Sequence, residues 1–225
     1  MDRVFTFADQ SAVAGHWVAV AVGEPNPDQL HIGIIHRDRN TGLQFLHLAW
    51  HCRLRNDDKR PDYLSVWVPP SVPAERQRII AAFCRRVWRK NARDGIPYAF
   101  SNPQESFNPA TAAFLIGPTR FGLTCASFVF AVFDAAGLRL AEYESWPVNR
   151  PGDGQWQETI IGQLESQTVG QAHINHLRSE IGAVRYRPEE VVASTALAPP
   201  PLAFAEAEQL GRRIISRIRS LPDAS

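Results

Sequence analysis

The chain has 225 residues, 44% of them hydrophobic and 21% charged, with a formal net charge of +1. That is enough chain for one large or two small domains of ordinary globular composition, and the near-zero balance excludes a global field that would hold nucleic acid or an anionic membrane. Three widely spaced cysteines argue against a disulfide framework and fit a reducing compartment.

The N-terminal segment MDRVFTFADQSAVAG carries Asp2, Arg3 and Asp9 and has no long apolar centre, so it does not read as a secretory signal. No stretch is long and apolar enough to span a bilayer. The expectation is a cytoplasmic protein, with signal-less export as the open alternative.

Residues 16–22, HWVAVAV, read as a first strand, and 23–29 as a turn-rich connection. HIGIIH (31–36) and LQFLHLAWH (43–51) are β-prone runs on either side of the polar turn RDRNTG, which makes a hairpin. With residues 37–41 as the loop, His36 faces Gly42, Gly33 faces Phe45 and His31 faces His47. Directly opposed Cβ atoms lie ~4.5–5.5 Å apart, so this register sets two imidazoles side by side. A one-residue slip would separate them.

LSVWV (64–68) reads as another strand ending at Pro69 and Pro70. Residues 71–91 form an amphipathic helix with Ile79, Ile80, Phe83, Val87 and Trp88 at helical spacing and a basic opposite face. That basic face has no aromatic interleaving and reads as a solvated surface. Cys84 falls on the apolar side. Residues 95–119 read as a long loop with one short helix at 109–115.

Then comes FGLTCASFVFAVFDAAGL, residues 121–138, a helix apolar on nearly every side and therefore buried. Thr124 caps its start and Gly137 stops it. Cys125 takes the first helical position, where unpaired N–H groups and the helix dipole favour a thiolate. The plain alternative is a small buried hydrophobe. Beyond it, 156–167 and 171–181 read as helices, 182–187 as a returning strand, PEEVVAS as a short helix and 202–220 as a final amphipathic helix after a proline-rich break at 198–201. The expected organisation is a main domain over residues 1–197, with residues 198–225 packed on it.

A thiol nucleophile needs a base, and the base needs an orienting partner. His31 and His47 can supply both roles, with His31 taking the thiol proton and His47 fixing its tautomer. Cys52 adjoins His51, but strand neighbours point to opposite faces. His173 and His176 have no CxxC or acidic cluster to complete a metal site. No phosphate-cradling glycine loop is present, and Ser127 belongs to no serine-nucleophile motif.

HIGIIH, FLHLAWH, PYAFS and GLTCASFVFAVFDAAGL together resemble the permuted branch of the NlpC/P60 papain-like superfamily, which includes the YiiX-like hydrolases and the lecithin:retinol acyltransferase-like proteins. The resemblance covers roughly residues 31–138. It implies an α+β fold, with an antiparallel sheet packed on a central helix and further helices at the C-terminus. It also implies Cys125 as nucleophile, His31 as general base, His47 as third polar residue and Tyr98 as a substrate-lining residue. The activity implied is cysteine-dependent hydrolysis or acyl transfer on an amide or ester through a Cys-His-His triad and a thioester, with a thiol peptidase or amidase as the first choice, without cofactor or metal. Substrates would be a peptide, an amide or a lipid ester. A lipid acyltransferase or thioesterase, and a non-catalytic binding protein that keeps the fold, remain the alternatives. Residues 144–183 have no counterpart in the resemblance.

Overall fold

The structure, a computed structural model, describes residues 4–7, 13–58, 61–117, 121–196 and 199–221. The expected domain boundary at 197/198, the charged residues Asp2, Arg3 and Asp9, and the end of the expected loop at 118–119 lie outside them. The fold is α+β. Six strands, β1 (Phe5–Thr6), β2 (Val18–Asn26), β3 (Gln29–Asp38), β4 (Gly42–Trp50), β5 (Arg53–Asp57) and β6 (Leu64–Val68), form one antiparallel sheet in the order β1-β6-β2-β3-β4-β5. The helices are α1 (Ala74–Asn91), α2 (Cys125–Ala135), α3 (Asp153–Glu165), α4 (Gln171–Ser179), α5 (Pro188–Ala196) and α6 (Phe204–Arg219). Among the described residues, no helix is long and apolar enough to cross a membrane.

Strand alternation divides the sheet into two faces. Val18, Val20, Val22, Ile32, Ile34, Leu46 and Leu48 join the main core with the helices, while Ala19, Ala21, Ile35, Phe45 and Trp67 build a smaller cluster on the other face. Helix α2 lies in the main core, with Phe128, Phe130 and Phe133 fully buried. Each such ring contributes about 1.5–3 kcal/mol on burial. The chain after α2 wraps it: Tyr143, Trp146 and Tyr186 all set their rings edge-on to Phe130. The last helix shares this core through Ala207, Leu210, Ile214 and Ile218.

Three local expectations are corrected and one strand is added. The β3–β4 hairpin pairs Ile34 with Leu46, Ile35 with Phe45 and Asp38 with Gly42, two residues away from the expected register. The cause is Asp38, whose Oδ1 accepts the N–H groups of Asn40 and Thr41 and so tightens the loop. A further edge strand, β5, stands where the sequence has one apolar residue, Leu54, among charged ones. Residues 109–115 are not helical: Asn108 Oδ1 captures the N–H groups of Ala110 and Thr111 in a turn, and Phe107 bridges Phe114. Residues 182–187 lie along α2 rather than in the sheet; Tyr186 packs on Phe130.

Candidate active site

Helix α2 begins as its sequence dictates. The N–H of Ser127 donates to Thr124 Oγ1 at 3.1 Å, and the N–H of Thr124 donates to Ser127 Oγ at 2.8 Å. This reciprocal box fixes the first turn and accounts for Ser127 as a capping residue. At the other end Gly137 takes the left-handed conformation at φ +81°, which favours glycine. Cys125 is thereby held at the first helical position.

His31 and His47 reach the site from adjacent strands. Continuing the observed register sets His47 opposite Gly33, and His31 becomes its diagonal neighbour on the same face. A two-residue shift preserves the face, as a one-residue shift would not. Gly33 makes the approach possible: a Cβ there would stand 2.6 Å from the Cβ of His47 and 2.8 Å from the carbonyl oxygen of Leu46. The result is a hydrogen bond of 2.8 Å between His31 Nε2 and His47 Nδ1.

The line continues to a residue that the sequence reading missed. His47 Nε2 lies 3.0 Å from Asp57 Oδ2, on β5. Asp57 pairs with Phe45 and so stands diagonal to His47, as His47 stands to His31. Arg55 holds the second oxygen, Asp57 Oδ1, at 2.9 Å. Burial raises the Asp57 carboxyl, but the hydrogen bonds from His47 and Arg55 outweigh it and leave it below its ordinary range. The signal that could have found Asp57 was the polar alternation of RLRND, an edge strand with one inward residue.

An ionised Asp57 sets every proton in this line. It accepts only, so His47 donates from Nε2. The neutral His47 ring then has a bare Nδ1, which accepts the Nε2–H of His31. The remaining lone pair of the His31 ring is therefore on Nδ1.

Strand parity turns both imidazoles toward the face that carries Phe45, whereas α2 packs on the opposite one. The two sides meet at the strand end. The last ladder pair between β3 and β4 toward this end is Ile34 with Leu46. Beyond it the backbone N–H of Ile32 stands near enough to the Cys125 thiol to favour its thiolate. The sulfur thus sits against the peptide bond that joins Ile32 to His31. Among the described residues the His31 ring bonds His47 and makes no hydrogen bond to the sulfur.

One cavity of about 560 Å³ takes in His31, His47, Tyr63, Tyr98, Cys125 and Arg185. Comparisons of the chain with protein-family models, with curated proteins and with solved structures find no match. The chemistry is therefore read from the residues themselves.

Tyr98 is fixed through its backbone: its N–H donates to His51 Nδ1 at 3.3 Å and its carbonyl lies 2.9 Å from His173 Nε2. Its hydroxyl lies in the cavity near Cys125, whose thiol and backbone both act on it. Burial pushes this hydroxyl far above its usual range, with the neighbouring Cys125 adding to the effect.

Burial also decides the resting protonation. Cys125 is 8% exposed. Its thiol is pushed up to about 11 by burial, against the N–H groups of Ile32 and Ala126 and the charge of Arg185. His31 is lowered to about 3 by burial and then by His47. The helix terminus therefore does not produce a resting thiolate here; desolvation outweighs it. Both groups rest neutral at pH 7.

The other cysteines and histidines stand apart. Cys84 is fully buried in the main core and Cys52 is exposed in a left-handed turn at φ +53°. His173 serves Tyr98, and His176 stacks on Phe121 with its Nε2 3.3 Å from Glu180. Among the described residues, no group of three His, Cys, Asp or Glu side chains could hold a metal ion.

Proposed function

We propose that the protein is a cysteine-dependent acyl hydrolase or acyltransferase of permuted papain-like architecture, acting on an amide or ester. One observation carries this reading: the hydrogen-bonded line Asp57–His47–His31 ends in the cavity where the Cys125 thiol lies against the His31–Ile32 peptide. Such a line orients a base and stabilises the cation that forms on it.

The proposed step starts from neutral groups. As the Cys125 sulfur attacks the substrate carbonyl, its proton passes to His31 Nδ1. The sulfur–carbon bond forms and the carbonyl π electrons move to oxygen. The Cys125 N–H and the Tyr98 hydroxyl stand beside that oxygen as donors. His31 then gives the proton to the leaving amine or alcohol as its bond to carbon breaks, leaving a thioester. Water, or an acceptor alcohol or amine, reverses the sequence: it loses a proton to His31, attacks the thioester carbon, and the sulfur leaves and regains the proton.

The burial of Cys125 favours a second reading, in which the cavity binds a ligand without chemistry. Intact-mass spectrometry after exposure to 4-nitrophenyl acetate separates the two. The acyl enzyme reading expects one acetyl group on Cys125 in the wild type and none in Cys125→Ser or His31→Ala. A folded wild type that never carries the acyl group on Cys125 would leave the binding reading.

A further inference from the structure

Arg185 stands in the coil between α4 and α5 and lines the cavity that holds Cys125. Its charge acts on both the Cys125 thiol and the Tyr98 hydroxyl. The guanidinium lies 3.9 Å from the centroid of the Trp156 ring, which fixes its plane. Its Nε is buried and has no hydrogen-bond partner. Among the described residues its one ion pair is long: Nη1 stands 3.3 Å from Asp153 Oδ1.

That carboxylate is already committed. Asp153 is 1% exposed and accepts Arg187 at 2.8 Å on the same oxygen and Arg150 at 3.1 Å on the other. Arg150 also pairs with Glu190 at 2.5 Å. Arg150, Arg185 and Arg187 thus share two carboxylates, Asp153 and Glu190, and Arg185 has the longest of the three contacts to Asp153. A third acid in the wall, Glu189, acts on Arg185 by charge; burial raises its carboxyl, and Arg187 and Arg185 oppose this. At the far rim Arg219 pairs with both Asp28, at 2.6 Å, and Glu24, at 3.0 Å. A half-buried guanidinium whose buried Nε–H is unused is costly unless something anionic completes it.

We propose that Arg185 anchors an anionic group of the substrate, so that the site takes acyl donors carrying a carboxylate or phosphate a few bonds from the carbonyl attacked by Cys125. The inference rests on the acyl-transfer reading for the attack itself, and on the Arg185 environment alone for the anion. Guanidinium edges bind carboxylate and phosphate in the same bidentate manner. The stacking on Trp156 leaves the edge of the fork, rather than its face, to meet the ligand.

The test compares three esters of one leaving group: 4-nitrophenyl butyrate, the 4-nitrophenyl hemiester of succinate, and the 4-nitrophenyl ester of 3-phosphonopropionate. The wild type should turn over at least one anionic ester with kcat/KM tenfold or more above butyrate, and which one shows the source of the anion. Arg185→Gln should reduce that ratio about tenfold or more, and Arg185→Lys should restore part of it. A wild type that prefers butyrate, or a ratio unchanged in a folded Arg185→Gln variant, would overturn the proposal. If the Gln variant fails to fold, the wild-type ratio decides by itself. If no ester reacts at all, the acyl chemistry has failed but the anion site is still tested. Titration calorimetry of Cys125→Ser should then show succinate binding where succinamide shows none, and equal heats would overturn it.

Discussion

His31 Nε2 and His47 Nδ1 lie 2.8 Å apart although their residues are not directly opposed; His47 faces Gly33, and the two rings meet across the diagonal. The missing side chain at Gly33 gives His47 its room, and Asp57 repeats the same diagonal step on the next strand.

The proton order in this line makes Asp57→Asn diagnostic. An asparagine amide can donate to His47 Nε2, which moves the His47 proton to Nδ1 and leaves His31 accepting at Nε2. His31 Nδ1 then carries the proton and cannot act as base. Turnover should fall on the order of 10²–10⁴-fold, the cost of a wrong tautomer. The ¹⁵N shifts of the His31 ring should show the tautomer exchange, and thermal melts should show the fold intact. Wild-type turnover in the variant would mean that Asp57 does not set the tautomer.

Gly33→Ala should damage the site and the sheet together. The new Cβ would meet the Leu46 carbonyl oxygen at 2.8 Å and the Phe45 ring at 2.7 Å. Forcing such a contact costs about 1–3 kcal/mol. Urea unfolding should report that loss, and acyl-enzyme formation should slow because the His47 ring is displaced. Unchanged stability would show that the strands separate more easily than this packing implies.

Cys125 should alkylate slowly at neutral pH. With the thiol pushed up to about 11, the thiolate share rises about tenfold per pH unit through the range below that value. Site-resolved labelling with limiting iodoacetamide should therefore find Cys52, which is exposed, faster than Cys125 at pH 7, and Cys84 protected. Cys125 labelling should climb steeply between pH 7 and 10. A plateau already reached at pH 7 would indicate a preformed thiolate, as the helix terminus alone would produce.

Acid should destabilise the fold through buried neutral histidines. His36 is fully buried, with Nε2 2.8 Å from Asn56 Oδ1 and no partner for Nδ1. Burial lowers it to about 4; Asn56 and Asp38 oppose this and Arg85 adds to it. Its folded pKa lies below the unfolded value of about 6.5, so the unfolded state binds more protons between the two. The stability it contributes is complete above pH 6.5 and is lost as the pH falls toward 4. Melting temperatures from pH 7.5 to 4 should decline over that window, and His36→Gln should flatten the decline. A Gln variant as acid-sensitive as the wild type would place the effect elsewhere, with His31 the next candidate.

Several features were legible in the residues because their causes are short-range. The Thr124 cap, the Gly137 stop and the all-round apolar run between them define α2 and leave Cys125 at its first position. The alternation in HIGIIH and FLHLAWH sets His31 and His47 on one face, and a shift of two residues does not change that. Three things needed the tertiary structure. The true register followed from a side-chain turn at Asp38, which competes with the loop length read from composition. Asp57 and Arg185 entered the site from an edge strand and from a coil wrapped on α2, and no spacing rule connects residues brought together by packing. The resting charge of Cys125 was decided by burial, since a helix dipole acts locally while desolvation sums over everything that surrounds the sulfur.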